Sequence, residues 1–146
     1  MEDASVTTDP DEKVVLYVVV RQSLKLIGGK IGAQVGHAVM FIVEEAACPR
    51  GVTMCGETLE LPEEKRHQYH ERMALYREWR QGEYGKIVLA ASDDDFLLAK
   101  ERYGTDFLVV DNGHTQVDPN TETCVGIWPM RKKARCELLL RLKPLR

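Results

Sequence analysis

The sequence predicts an α/β fold, a three-layer α/β/α arrangement around a small four-stranded mixed sheet. Three observations carry this. Strand-like apolar runs alternate with helix-like segments in the order β-α-α-β-α-β-β-α, which favours a parallel or mixed sheet covered on both faces. The first run, residues 14–20, is continuously apolar and β-branched, the pattern of a strand buried on both sides. The link between the third and fourth strands is short and polar, which points to local antiparallel pairing.

Each element has its own signal. Residues 1–12 are polar and acidic and include Pro10, so they read as a disordered tail. Residues 13–146 read as one domain. After the first strand, Gly28 and Gly29 break the chain, and a helix is expected over residues 31–47. Ile31, Val35, Ala38, Val39 and Ile42 form its apolar stripe. Gly32, Ala33, Gly36 and Ala38 thin its first turns, which predicts close packing on the sheet. Residues 48–61 are a loop punctuated by Pro49, Gly51 and Gly56. A charged helix follows over 63–81, then a second buried strand over 86–91. Residues 93–103 form a short helix with Ser92 as N-cap, acids in the first turn and Gly104 as its stop. Residues 107–110 are the third strand and 123–128 the fourth. Pro129 is expected to open a basic helix fading near Leu139, and residues 140–142 to run extended.

The bulk properties bound the function. A chain of 146 residues fits one domain with one core that needs no disulfide or metal. Its 44% hydrophobic and 29% charged residues are ordinary for a soluble protein, and no apolar run approaches a membrane span. The N-terminal segment lacks the layout of a signal peptide and has the wrong sign for a mitochondrial presequence, so a cytoplasmic protein is expected. The four cysteines form no CxxC pair and read as free thiols. Net charge is −3, but residues 130–146 carry seven bases and one acid, so a local basic surface is open to the chain.

Two polar segments sit at the carboxyl ends of strands, where open α/β sheets gather ligands. The first, residues 21–30, carries Arg21, Lys25 and Lys30 and leads into a helix N-terminus suited to phosphate. The Walker A pattern is absent, and taken by itself this segment reads first as an ordinary strand-to-helix loop. The second, residues 111–116, gathers Asp111, His114, Thr115 and Gln116 around Gly113. A turn in which Asp111 caps backbone N–H groups and a catalytic carboxylate both fit that spacing. His67 and His70, three apart on a helix, lack a third ligand, and Asp93, Asp94 and Asp95 suit a helix first turn, so no metal site is expected.

Resemblance separates these alternatives. Residues 29–38, GKIGAQVGHA, resemble the GK-x-AAQ-x-x-HA signature of type-2 peptidyl-tRNA hydrolases. Residues 111–116, DNGHTQ, are similar to that family's D-A-G-R-T-Q segment, and residues 126–129, GIWP, to its G-I-G-P strand end. Trp79 with Lys86 also matches. The blocks occur in one order from about residue 14 to 142, which is more specific than any single motif.

The resemblance implies a small mixed four-stranded sheet between helices and hydrolysis of the ester between a peptide and tRNA, without cofactor or metal. Lys30, Asp111 and Thr115 fall on the family's proposed catalytic positions; Lys25, Gln34 and His37 fall on neighbouring site or tRNA-contacting ones. Arg21, in the cationic loop, and His114, standing where the family has arginine, complete the expected substrate- and tRNA-binding set. A fixed cation such as Lys30 suits a developing oxyanion. Asp111 suits the orientation of Lys30 or the acceptance of a proton from water, and Thr115 the holding of that water. The expected partner is peptidyl-tRNA, with a homodimer open as an assembly and no membrane. Lys25, Lys30 and some C-terminal bases are then expected on one surface, away from the acidic tail.

The chain departs from the family pattern at Ser23, Gly28, His114 and Trp128. Cations lost at Gly28 and weakened at His114 lower the expected affinity for tRNA. They leave a second reading, a catalytically weak RNA- or protein-binding module on the same scaffold.

Overall fold

The computed structural model describes residues 9–49, 54–55, 58–59, 61–112 and 118–146. The strand-forming runs become β1 (Val14–Arg21), β4 (Lys86–Ala91), β5 (Leu108–Asp111) and β6 (Thr121–Arg131), and the helical segments become α1 (Gly28–Ala47), α2 (Glu63–Gln81), α3 (Asp93–Tyr103) and α4 (Glu137–Arg141). A two-residue hairpin, β2 (Met54–Cys55) with β3 (Thr58–Leu59), lies between α1 and α2.

The sheet has five strands, ordered β5-β6-β1-β4-β7, one more than expected. β1 and β4 are parallel, while β6 is antiparallel to both β1 and β5. β5 therefore points the same way as β1 and β4, and the carboxyl ends of all three define one end of the sheet, its head. The fifth strand, β7 (Lys143–Pro144), pairs antiparallel with Leu89 and Ala90 of β4. It is too short to be read from sequence, and its Pro144 is tolerated because the strand lies at an edge.

β1 is central and buried on both faces, as its continuous apolar run requires. Val14, Leu16, Val18 and Val20 pack in one core with Ala38 and Ile42 of α1 and Tyr76 and Trp79 of α2. Val15, Tyr17 and Val19 pack in a second core with Phe96 and Ala99 of α3 and Leu139 of α4. The sheet is thus sandwiched between α1 with α2 and α3 with α4. The Ser92 hydroxyl caps α3 by accepting from the Asp95 N–H, and Gly104 ends it at φ 85°, a conformation open to glycine.

Three expectations are corrected. Pro129 does not open a helix: it lies inside β6, which runs on to Arg131. Between the pairs Val15–Met130 and Tyr17–Ile127, Leu16 alone faces both Trp128 and Pro129, a bulge that accommodates a residue lacking an N–H. The basic helix is reduced to a 3-10 turn at Lys132–Ala134 and the five residues of α4, so residues 140 and 141 are helical. The thin face of α1 does not meet the sheet either. Gly32, Ala33 and Gly36 are exposed, because Gln34, Ala38 and Ile42, four residues apart, set the buried face. Close approach comes from the strand instead: a Cβ on Gly126 would sit 3.2 Å from both Ala38 Cβ and Ile42 Cδ1.

Residues 9–12, expected within the disordered tail, include a 3-10 turn at Pro10–Glu12, whose start is capped by Asp9; residues 1–8 lie outside the described residues. Among the described residues no helix is long and apolar enough to cross a membrane. Cys48, Cys124 and Cys136 are free thiols, and burial pushes the Cys124 thiol up to about 12.

Candidate active site

At the head of the sheet the chain brings together groups some eighty residues apart. Lys30 sits in the first turn of α1, which starts after Ile27 with no side-chain cap. Asp111 is the last residue of β5, held by pairing with Thr121 of β6 and by the Asn120 N–H, which donates to the Asp111 carbonyl at 2.7 Å. The Lys30 ammonium and the Asp111 carboxylate form an ion pair through Oδ2. Both are largely buried, the side chains being 13% and 4% exposed, so water screens this pair far less than a surface pair.

The carboxylate is also held from beneath. One turn below Lys30, the Gln34 side-chain amide donates to the same Asp111 Oδ2 at 3.2 Å. Behind Gln34, the Thr123 hydroxyl of β6 donates to Gln34 Oε1 at 2.8 Å and lies 3.2 Å from the Val109 carbonyl. The Cys124 thiol donates to the Gln34 carbonyl at 3.4 Å, a further tie between α1 and β6. Gln34 is 3% exposed and Thr123 fully buried, so the cluster is a built interior feature rather than a chance surface contact.

The other expected site residues divide by position. Thr115 and His114 lie outside the described residues. Lys25 is exposed on the loop between β1 and α1, at φ 50° after the 3-10 turn Gln22–Leu24. His37 is exposed on α1, on the solvent side rather than in the core. Arg21 points to the opposite face of the sheet. Its Nε donates to Asp93 Oδ1 at 3.3 Å and its Nη1 to the Glu122 carbonyl at 3.0 Å, over the ring of Phe96. Arg21 is thereby a strut between β1, α3 and β6. The Ser23 hydroxyl donates to the same Asp93 oxygen at 2.6 Å; that bond, then Arg21, holds the Asp93 carboxyl below its ordinary value.

The C-terminal bases divide between the two ends of the sheet. β6 runs antiparallel to β1, so Arg131 pairs with Val14 at the foot of the sheet. There Arg131 grips Glu78 through two hydrogen bonds, and Lys133 reaches Glu12 of the acidic segment at 2.5 Å. Arg141 does reach the head, where it bonds Asp95 in the first turn of α3. Among the described residues no group of three His, Cys, Asp or Glu side chains could hold a metal. Asp93 and Asp95 are committed to Ser23, Arg21 and Arg141, and His67 is paired with Glu71 at 3.2 Å. Trp128, the family's glycine, stacks on Phe107 beneath Arg72 and donates to the Arg72 carbonyl at 2.8 Å, in the α2 face of the core.

Sequence reasoning missed Thr123. Its only sequence signal was a polar residue at the start of an otherwise apolar strand, a position where threonine is common.

Fold and site together define a class: a small α/β domain with a buried lysine–carboxylate pair where parallel strands end. A family model described as "Peptidyl-tRNA hydrolase PTH2" matches residues 14–145. The chain is 34% identical over 121 residues to a peptidyl-tRNA hydrolase of Methanopyrus kandleri, covering 80% of this chain and 84% of that protein. It is 34% identical over 117 residues to one of Haloquadratum walsbyi, covering 77% and 82%. A third, from Sulfolobus acidocaldarius, is 32% identical over 119 residues, covering 78% and 85%. The chain belongs to the type-2 peptidyl-tRNA hydrolase family.

Proposed function

We propose that this chain hydrolyses the ester joining a peptide to tRNA by attack of a water at the Lys30–Asp111 pair. The observation that carries the proposal is that pair itself, buried at the sheet head on a carboxylate fixed by Gln34. In the proposed reaction, Asp111 accepts a proton as a water oxygen bonds to the ester carbonyl carbon. The Lys30 ammonium stabilises the oxyanion that forms, a contribution of about 3–4 kcal/mol for one well-placed donor. The tetrahedral species then collapses, the bond to the ribose oxygen breaks, and the proton on Asp111 passes to that oxygen. Peptide acid and tRNA leave, and Asp111 is restored. Thr115 is assigned to the water.

Lys25 and His37, exposed on the loop and helix beside Lys30, are assigned to tRNA, as is His114 from its place in the sequence, while Arg21, turned to the opposite face, is assigned to bracing the loop against α3 and β6. Gln34 is assigned to the site, where its hydrogen bond to Asp111 favours a positioning role over direct contact with tRNA. Cytoplasmic residence and assembly as a homodimer belong to the same proposal, and sedimentation of the full chain decides the assembly.

The test is hydrolysis of peptidyl-tRNA by the full chain and by Asp111→Asn. The wild-type chain is expected to release peptide, with binding that weakens steeply as salt rises, because phosphate contacts release counterions. Asp111→Asn keeps shape while removing charge. It is expected to fold, bind tRNA nearly as well, and lose about a hundredfold or more in rate, roughly 3 kcal/mol of transition-state stabilisation. A folded Asp111→Asn chain with full activity removes Asp111 from the mechanism.

A further inference from the structure

We infer that Thr123 is a positioning residue for the hydrolysis, acting through Gln34 to set the orientation of Asp111; the inference rests on the catalytic reading of Asp111 above. The geometry is a relay of three side chains from three elements: Thr123 on β6, Gln34 on α1 and Asp111 on β5.

A glutamine amide can present either its N–H group or its carbonyl oxygen to a neighbour. Beside an ionised carboxylate the two differ sharply, since one donates and the other repels. The acceptor-only carboxylate calls for the N–H end, and the Thr123 hydroxyl, engaging the other end, holds the amide in that orientation. It donates to Gln34 Oε1 at 2.8 Å, which turns the carbonyl end of the amide inward and its N–H end toward Asp111 Oδ2 at 3.2 Å. Thr123 is fully buried and Gln34 nearly so, so bulk water cannot replace either bond. The nearby Val109 carbonyl, 3.2 Å from the hydroxyl, gives Thr123 a second acceptor on the strand that carries Asp111.

The consequence is geometric. Lys30 and Gln34 converge on one oxygen of Asp111 from successive turns of α1, one as ammonium and one as amide. Two donors on one oxygen fix the plane of the carboxylate, and a general base needs that plane aimed at its water. Without the hydroxyl, Gln34 Oε1 loses the Thr123 donor and the amide is held at its N–H end alone. The ion pair with Lys30 survives, but the carboxylate is then supported by a less firmly oriented amide.

The experiment is steady-state hydrolysis of peptidyl-tRNA by Thr123→Val, Thr123→Ser and Asp111→Asn, with folding checked by circular dichroism. Thr123→Val keeps the shape and removes the hydroxyl. It is expected to lower kcat about tenfold with KM within twofold, because the relay touches the reacting groups and not the tRNA surface. Thr123→Ser keeps the hydroxyl and is expected to return kcat to within about twofold of wild type. Loss in both Thr123 variants alike, or a change in KM alone, assigns Thr123 to packing and overturns the inference. Unchanged kcat in Thr123→Val beside an inactive Asp111→Asn overturns it while leaving the catalytic reading of Asp111 intact. Full activity of Asp111→Asn removes the reading itself, and the inference with it. Should Thr123→Val fail to fold, Gln34→Met, similar in length and lacking both polar atoms, carries the same expected loss, and unchanged kcat there overturns the inference.

Discussion

The two ends of this sheet both carry ion pairs, and they are built differently. At the head, Lys30 and Asp111 meet with side chains 13% and 4% exposed, and Gln34 and Thr123 stand behind them. At the foot, Arg131 meets Glu78 with side chains 33% and 49% exposed, and Lys133 meets Glu12 in a similarly open setting. The foot pairs are geometrically the better ones, since Arg131 grips both oxygens of Glu78 at 2.8 and 2.9 Å. Yet solvent weakens them, and each holds long side chains still in return for little net gain. At the head, charge is taken from water, which costs stability, and side-chain donors fix the carboxylate's direction. A pair of that kind is a poor device for holding a fold and a good one for holding a reacting geometry. Good hydrogen-bond geometry alone therefore does not mark a site; burial together with a hydrogen-bonded support does.

The largest effect that tests this contrast is a double-mutant cycle at the head. Lys30→Met and Asp111→Asn are each expected to lower the rate of peptidyl-tRNA hydrolysis a hundredfold or more. Groups that act as a unit are strongly non-additive, so the double variant should lose no more than about tenfold beyond the worse single. Independent losses that multiply, to about ten-thousandfold, would show that the two charges act separately and that their ion pair is incidental to the chemistry.

Much of this head was legible in the sequence, for physical reasons. Residues 14–20 and 87–91 are short apolar runs bounded by polar residues, the signal of a strand, and both lie in strands of the sheet. A cation after one strand and an acid ending another that points the same way meet at one end, which is how Lys30 comes to Asp111. What failed to show depends on partners remote in the chain. β7 is two residues whose only reason to be extended is the open edge of β4. Pro129 carries the same local signal in a helix start as in a bulge, and pairing with Val14 and Val15 decides between them. Thr123 acquires its meaning from Gln34, 89 residues away. The small residues of α1 were visible, but the face they occupy is set by Gln34, Ala38 and Ile42.

That last point gives an intermediate effect, because α1 is the element that carries Lys30 to Asp111. Gly126→Ala would place a methyl group 3.2 Å from Ala38 Cβ and Ile42 Cδ1 and 3.4 Å from Phe107 Cβ. Overpacking of this kind costs about 1–3 kcal/mol, and lifting α1 should lower activity as well. Gly36→Ala meets nothing within 4 Å on the exposed face and should stabilise the helix by up to about 1 kcal/mol. Chemical denaturation of both variants checks the signs. Equal effects of the two substitutions would mean that Gly126 is not the seat of α1.

The smallest effect belongs to the foot. Glu78→Gln removes one charge from the Arg131 pair while keeping an oxygen able to accept one hydrogen bond. Arg131 retains the Glu12 carbonyl, to which its Nη1 donates at 2.8 Å, so no buried charge is stranded. Exposed pairs are worth about 0–1 kcal/mol, and a loss of about 0.5 kcal/mol lowers Tm by about 1–2 °C in a domain of this size. Salt near 1 M shortens the screening length to about 3 Å, so the difference between wild type and Glu78→Gln should shrink further there. Hydrolysis should be unchanged, since the substitution lies at the opposite end of β1 from the site. Thermal melts at low and high salt, with activity measured on the same samples, read all three expectations. A stability loss above about 2 kcal/mol, or any fall in kcat, would show that the foot pair holds the frame on which the head depends, and the division of labour between the two ends would have to be abandoned.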